Sequence, residues 1–302
     1  MNILSEKILS DYQVRKTWRQ KTEFLDMMKK EFSDGIIEEG GFPKSRNFII
    51  GDIQKARVVF CAHYDTCAAL PFPNLIMPKN IFMTLLYNVL ICIPFILVMF
   101  VASFLIGLIT DSFLVNYFGT LFAFVAVFVG VFILGVPNRH TANDNTSGVV
   151  TLCELISELS DEQRCESAFV FFDNEENGLL GSSFFRKKHK NLFLEKLVIN
   201  FDCVSDGDNM LLVIDKNSKR KYGEKLVKAF RDTDSKKAWH ENASTTFYPS
   251  DQVGFPMSVA VSSMKHKRLF GLYMDRIHTN RDTIFDRDNI KWIVESVRSF
   301  LS

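Results

Sequence analysis

SAFVFFDNEENG, residues 167–178, is an unbroken apolar run that stops at an acidic turn closed by glycine. A short apolar run without polar alternation is the pattern of a strand buried on both faces of a sheet. It has companions. RVVFCAH at 57–63 and KLVINFD at 196–202 share its form, RNFII at 46–50 and MLLVID at 210–215 are shorter relatives, and helical stretches separate the later runs. Strands alternating with helices predict a single α/β domain, three layers deep, around a mixed, largely parallel central sheet.

Between RVVFCAH and SAFVFFD that pattern is interrupted. Residues 80–110 carry no charge, residues 112–138 carry none, and Asp111 alone stands between them. A bilayer-spanning helix needs about 20 predominantly apolar residues, and each segment supplies them. The expectation is a two-helix transmembrane hairpin at 78–138, with spans at about 81–109 and 113–136, inserted into a discontinuous domain made of 1–77 and 139–302. Buried helices of a soluble core are the other reading, but such helices usually show a polar face at period 3.6. Pro94 would break a soluble helix and is tolerated in a membrane one. Lys79 and Arg139 flank the insertion on one side, which places the domain and both termini in the cytosol.

Composition supports a folded protein and narrows its partners. Lys and Arg number 36 against 35 Asp and Glu, so the formal charge of +1 gives no pull toward nucleic acid. The six cysteines show no C-x-x-C pair, in keeping with reduced thiols. The opening segment 1–32 lacks the apolar core of a secretory signal. Ile8, Tyr12, Trp18, Phe24 and Met28 recur there at helical spacing and predict one amphipathic helix.

In open α/β sheets ligands bind beyond the carboxyl ends of the strands. Three apolar runs here end in metal-type ligands: His63-Tyr64-Asp65, then Glu175-Glu176, then Asp202. Asp144 precedes a helix that contains Val149 to Leu159. Each has an ordinary reading on its own, as a turn, a cap or a solvated charge. Together they suit metal-assisted hydrolysis. Imidazole and carboxylate suit zinc, a carboxylate can bridge two ions, and water held between them becomes a nucleophile near neutral pH. A carboxylate that binds no metal must then carry the proton to the leaving amine.

The motifs HYDT (63–66), NDNTSG (143–148), FFDNEENGLLGSSFF (171–185), NFD (200–202) and HTNRDT (278–283) occur in this order. The sequence thereby resembles the M28 family of co-catalytic zinc peptidases, whose fold is a phosphorylase/hydrolase-like three-layer domain. The resemblance implies two Zn2+ ions bridged by Asp144, with His63 and Asp202 completing one site and Glu176 and His278 the other. It implies Glu175 as general base, Asp65 holding the ring of His63, Asp282 supporting the region of His278, and a cis peptide at Asp144-Asn145. The expected activity is that of a membrane-anchored aminopeptidase acting on peptides. A glutaminyl-cyclase-like acyltransferase with one zinc, or an inactive membrane-tethered binding protein, are the alternatives. The family stretch that often reads S-D-H has Gln252 in the third place. Because the insertion leaves near His63 and returns near Asp144, the site is also expected to open toward the bilayer, unless the hairpin only anchors.

Overall fold

The apolar runs become strands in the computed structural model, which describes residues 1–302. In chain order the strands are β1 (Ile36–Gly40), β2 (Ser45–Ile50), β3 (Val58–His63), β4 (Ser167–Phe172), β5 (Leu197–Phe201), β6 (Asn209–Ile214), β7 (Lys237–Asn242), β8 (Ser258–Lys267) and β9 (Gly271–Tyr273). They form one sheet in the order β1-β2-β4-β3-β5-β8-β6-β7, with β9 added to β8. The central strands β4, β3, β5 and β8 run parallel. Antiparallel pairs flank them at β1-β2, β2-β4 and β6-β8.

Helices α1 (Ile3–Asp11) and α2 (Trp18–Glu31) precede the sheet, and α3 (Ile81–Gly107) and α4 (Phe113–Phe132) leave it between β3 and β4. The layers are completed by α5 (Gly148–Glu158), α6 (Asp161–Cys165), α7 (Leu180–Lys188), α8 (Lys216–Ala229) and α9 (Arg287–Leu301). Successive strand residues point to opposite faces. Val58, Phe60 and Ala62 therefore enter the core shared with α1, α2, α5, α8 and α9, while Val59 and Cys61 pack with Phe185 of α7 and Phe193 on the other side.

The single opening helix is corrected to two. Thr17 and Gln20 form a reciprocal capping box that starts α2 afresh. The break between the helices brings Arg15 inward, where it is fully buried. Its N–H donates to Thr66 Oγ1 (2.9 Å) and its guanidinium to Thr146 Oγ1 (3.2 Å). An even helix could not reach both loops.

Lys21 of α2 is buried and pairs with Asp173 at 2.6 Å, just beyond β4. Asp173 Oδ2 also accepts from the N–H of Arg46 (2.9 Å), so one carboxylate ties α2 and β2 to the turn that follows β4. Burial, helped by Asp65, raises the Asp173 pKa in spite of Lys21. Removing one partner of such a pair leaves a buried charge uncompensated. Lys21→Met is therefore expected to cost about 3 kcal/mol in denaturant unfolding. A loss below about 1 kcal/mol would show that the pair contributes no more than an exposed one.

Helices α3 and α4, of 27 and 20 residues, contain no buried residue and are long and apolar enough to cross a membrane. Phe95 stacks on Phe132 (5.8 Å between centroids) and meets Phe124 and Phe128, which joins the two helices. Nearer the tip, Ser103 Oγ donates to Asn116 Oδ1 (2.7 Å), and Asn116 Nδ2 donates to the Ser103 carbonyl (2.9 Å). Interhelical polar contacts of this kind hold apolar helices in register. Both helices end short of the expected spans, at Gly107 and Phe132. After α4 the chain passes so close to Ala68 that a Cβ on Gly135 would stand 2.9 Å from the Ala68 Cβ. Only glycine permits that approach. The returning segment then bonds back to the outgoing one, Ala69 N to Val136 O (2.9 Å) and Asn138 N to Cys67 O (3.1 Å).

Candidate metal centre

Parallel pairing of β3 with β4 and β5 aligns their carboxyl ends. His63 is the last residue of β3, Glu175 and Glu176 lie in the turn beyond β4, and Asp202 follows β5. Asp144 arrives from the turn Ala142–Ser147 before α5, and the Asp144–Asn145 peptide is cis. His278 comes from the loop after β9 with φ +58, in the left-handed region, and its carbonyl accepts from Leu70 N at 2.8 Å. A non-glycine residue rarely sits there unless its surroundings hold it.

These side chains converge around the Asp144 carboxylate. Its Oδ1 lies 3.3 Å from His63 Nε2 and its Oδ2 lies 2.9 Å from His278 Nε2. Asp202 Oδ1 is 3.5 Å from His63 Nε2, and Glu176 Oε2 is 3.3 Å from His278 Nε2. Donors bound at about 2.0–2.1 Å around one tetrahedral zinc stand about 3.3–3.4 Å apart, so two such clusters sharing Asp144 have zinc-like spacing. A second observation supports the fit. Glu176 Oε1 and Asp202 Oδ1 are buried without a hydrogen-bond partner, one in each cluster. Buried carboxylate oxygens are normally satisfied, and a cation would satisfy both.

The electrostatics agree. Desolvation, reinforced by Asp144, pushes Glu176 up to about 8. Desolvation also raises Glu175 well above the usual carboxylate range, with Glu176, Asp202 and Asp251 adding to it. Burial alone would lower the imidazoles, but the carboxylates win: Glu176 and Asp144 carry His278 up to about 10, and Glu175, Asp144 and Asp202 raise His63. Acids that resist ionisation beside bases that resist deprotonation mark a site with excess negative charge. Bound cations would relieve it.

One supporting residue, Asp65, acts differently from expectation. His63 Nδ1 meets the backbone carbonyl of Asp65 at 3.0 Å, while the Asp65 carboxylate is 3.7 Å from the ring. That carboxylate instead accepts from the N–H groups of Glu175 (3.0 Å) and Glu176 (3.2 Å), so it fixes the turn bearing both glutamates. Asp282 turns to Asp144 and not to the His278 ring. Its two oxygens accept from Asn143 N (2.8 Å) and Asp144 N (2.9 Å).

Two further residues near the centre were not singled out by sequence. Cys67 Sγ lies within 4.8 Å of ligand atoms of Glu176 and His278. Asp251 is fully buried with neither carboxylate oxygen bonded, and burial pushes it up to about 7. Its place beside Gln252 was the available signal. Gln252 itself faces inward, accepting from Asn200 Nδ2 (3.1 Å) and donating to the Tyr248 carbonyl (2.7 Å). His189 is bonded to Glu38 (2.8 Å) and His266 stacks on Trp239, both away from the centre.

The profile of peptidase family M28 matches residues 128–300. Comparison with curated protein sequences returns no match. Among solved structures the chain is similar to a Zn-dependent exopeptidase from Parabacteroides distasonis, at TM-score 0.61 and 14% identity over 98% of this chain and 96% of that one. It is also similar to the LapA aminopeptidase of Legionella pneumophila, at TM-score 0.54 and 14% identity over 98% of this chain. There it spans 66% of the other protein's length. At such identity the likeness is one of fold: a three-layer α/β domain with a mostly parallel central sheet.

Proposed function

From the premise that this chain belongs to peptidase family M28, we propose that it is a membrane-anchored aminopeptidase that works with two zinc ions. The observation that carries this reading is the Asp144 carboxylate, with one oxygen toward each histidine and one orphaned carboxylate oxygen on each side. His63, Asp144 and Asp202 would hold one ion, and Asp144, Glu176 and His278 the other. Zinc in such a site supplies a Lewis acid and brings the pKa of bound water to about 7. Glu175 accepts a proton from the attacking water at its carboxylate and returns it to the nitrogen of the leaving amine. Asp65 keeps that carboxylate in place through the Glu175 N–H, and Asp282 does the same for Asp144.

An exopeptidase suits the space available. His63, Glu175 and His278 line a cavity of about 400 Å3, which suits one or two residues of a substrate. Anchoring rests on α3 and α4, which together make a hairpin with Lys79 and Arg139 at its base and Asp111 at its tip. By the positive-inside rule the domain and both termini face the cytosol.

The purified, zinc-loaded, full-length protein is expected to hydrolyse aminoacyl amides and short peptides with a free amino terminus and to leave the N-acetylated peptides intact. Equal cleavage of both forms would overturn the aminopeptidase reading, and cyclisation of N-terminal Gln peptides by protein holding one zinc would replace it with acyl transfer.

Cys67 offers a soft donor beside the second ion. Burial and the neighbouring carboxylates raise its pKa, so it meets the site as a thiol and must lose its proton to ligate. With cobalt in place of zinc, a thiolate charge-transfer absorption is expected in the unaltered protein and is expected to vanish in Cys67→Ser. Identical spectra would leave Cys67 a packing residue.

A further inference from the structure

The cavity over the metal centre is walled in part by the apolar helices. Thr84, Tyr87, Asn88 and Ile91 of α3 line it, together with Phe132 at the end of α4. The four α3 positions fall at i, i+3, i+4 and i+7, one face of a helix. On the rest of the surface Leu85 and Val89 are exposed by 59% and 61%. One side of α3 therefore belongs to the cavity and the other to its surroundings.

This wall is fixed to the catalytic loops. Thr84 Oγ1 donates to the Met77 carbonyl (3.1 Å) and the Tyr87 hydroxyl to the Pro73 carbonyl. The same connecting segment supplies the Leu70 N–H that bonds the His278 carbonyl, and Ile76 pairs with Met274.

On the membrane-anchored reading proposed above, helix length sets the depth of this wall. At 1.5 Å per residue, α3 is about 40 Å long, whereas the hydrocarbon layer is about 30 Å thick and takes about 20 residues. The 20 residues of α4 fill it, and α3 is seven residues longer. The surplus, residues 81–87, falls at the end that joins the domain, so Thr84 and Tyr87 lie among the lipid headgroups and Asn88 at their inner edge. Tyrosine concentrates at that depth. Phe247 also lines the cavity, is 70% exposed, and donates its N–H to the Pro78 carbonyl (2.9 Å) just before α3.

We propose that this wall is a substrate subsite, and that the substrates are peptides with apolar amino-terminal residues lying in the bilayer interface. The proposal rests on the aminopeptidase reading and names its substrate class. A peptide adsorbed on the bilayer meets the cavity without first returning to water, and its leading apolar side chain packs against α3.

The test uses zinc-loaded full-length protein in phosphatidylcholine vesicles. Two peptides share a Phe-first amino terminus, one with a soluble tail and one with an apolar tail that partitions into vesicles. We expect kcat/KM to be at least tenfold higher for the partitioned peptide. Asn88→Trp, which narrows the wall, should lower kcat/KM at least tenfold for Phe-first substrates and less than threefold for Ala-first ones, while Val89→Trp on the opposite face should alter neither. In parallel, a partitioned peptide with a photoreactive Phe-like first residue should label α3. Equal hydrolysis of the two tails, or labelling confined to segments other than α3, overturns the proposal. Labelling of α3 without hydrolysis of either peptide or of leucine amide overturns the aminopeptidase reading instead.

Discussion

Replacing Glu175 with Gln is expected to lower kcat by about a thousandfold, within the 10²–10⁴ range of a general base, while metal content stays unchanged. The substitution keeps the size of the side chain and its backbone N–H, which Asp65 Oδ1 holds at 3.0 Å. Only the capacity to take up a proton is lost. The Glu175 carboxylate lies within 4.8 Å of ligand atoms of His63 and Glu176, but the proposed ligand sets around Asp144 do not use it, so elemental analysis should return the same zinc as before. Retention of more than about a tenth of the activity would remove Glu175 from the proton path. Loss of zinc along with activity would make it a ligand.

Asp144→Asn is expected to be the most damaging change to metal binding. The carboxylate presents equivalent oxygens to His63 and His278, at 3.3 and 2.9 Å. An amide has one acceptor oxygen, and its NH2 group would face the other ion as a donor. At least one ion should be lost and hydrolysis should fall to background, read by elemental analysis and by titration of the metal-free protein with zinc. Two ions bound as tightly as before would show that Asp144 bridges nothing. The Asp282 carboxylate should survive the change as an acceptor for Asn143 N and Asp144 N, so the turn itself is expected to keep its shape.

The parts of the fold legible in sequence were those in which local pattern and tertiary environment agree. β3, β4 and β5 are buried on both faces, so nearly every residue in them is apolar. β7 reads Lys-Ala-Trp-His-Glu-Asn and is only partly buried at the sheet edge, which leaves no alternation to detect. β8 conceals itself differently, with Ser262 and Ser263 buried where apolar residues would be expected. Those serines bond to the Cys203 and Gly207 carbonyls, contacts that no local pattern announces.

The site divides along the same line. Residues at strand ends could be found because the strands themselves could be found, and the HTNRDT motif added His278. The partners of Asp65 and Asp282 could not, because a carboxylate that accepts from backbone N–H groups leaves no trace in residue type. Cys67 was visible only as one cysteine among six. The wall formed by α3 was hidden for another reason: Thr84, Tyr87 and Asn88 look like polar interruptions in an apolar span until the loops that hold them are seen.

The position of the hairpin in the chain has a consequence for biosynthesis. His63 is made before residues 78–138, whereas Asp144, Glu176, Asp202 and His278 all come after them. β3 lies between β4 and β5 in the sheet, and both of these neighbours are also made later. The first third of the chain thus has its central strand ready and nothing to pair it with. Such long-range pairing is slow to form. The ribosome must finish both apolar helices before a second of the proposed ligands exists, so on the two-zinc reading metal capture is expected to follow completion of the hairpin.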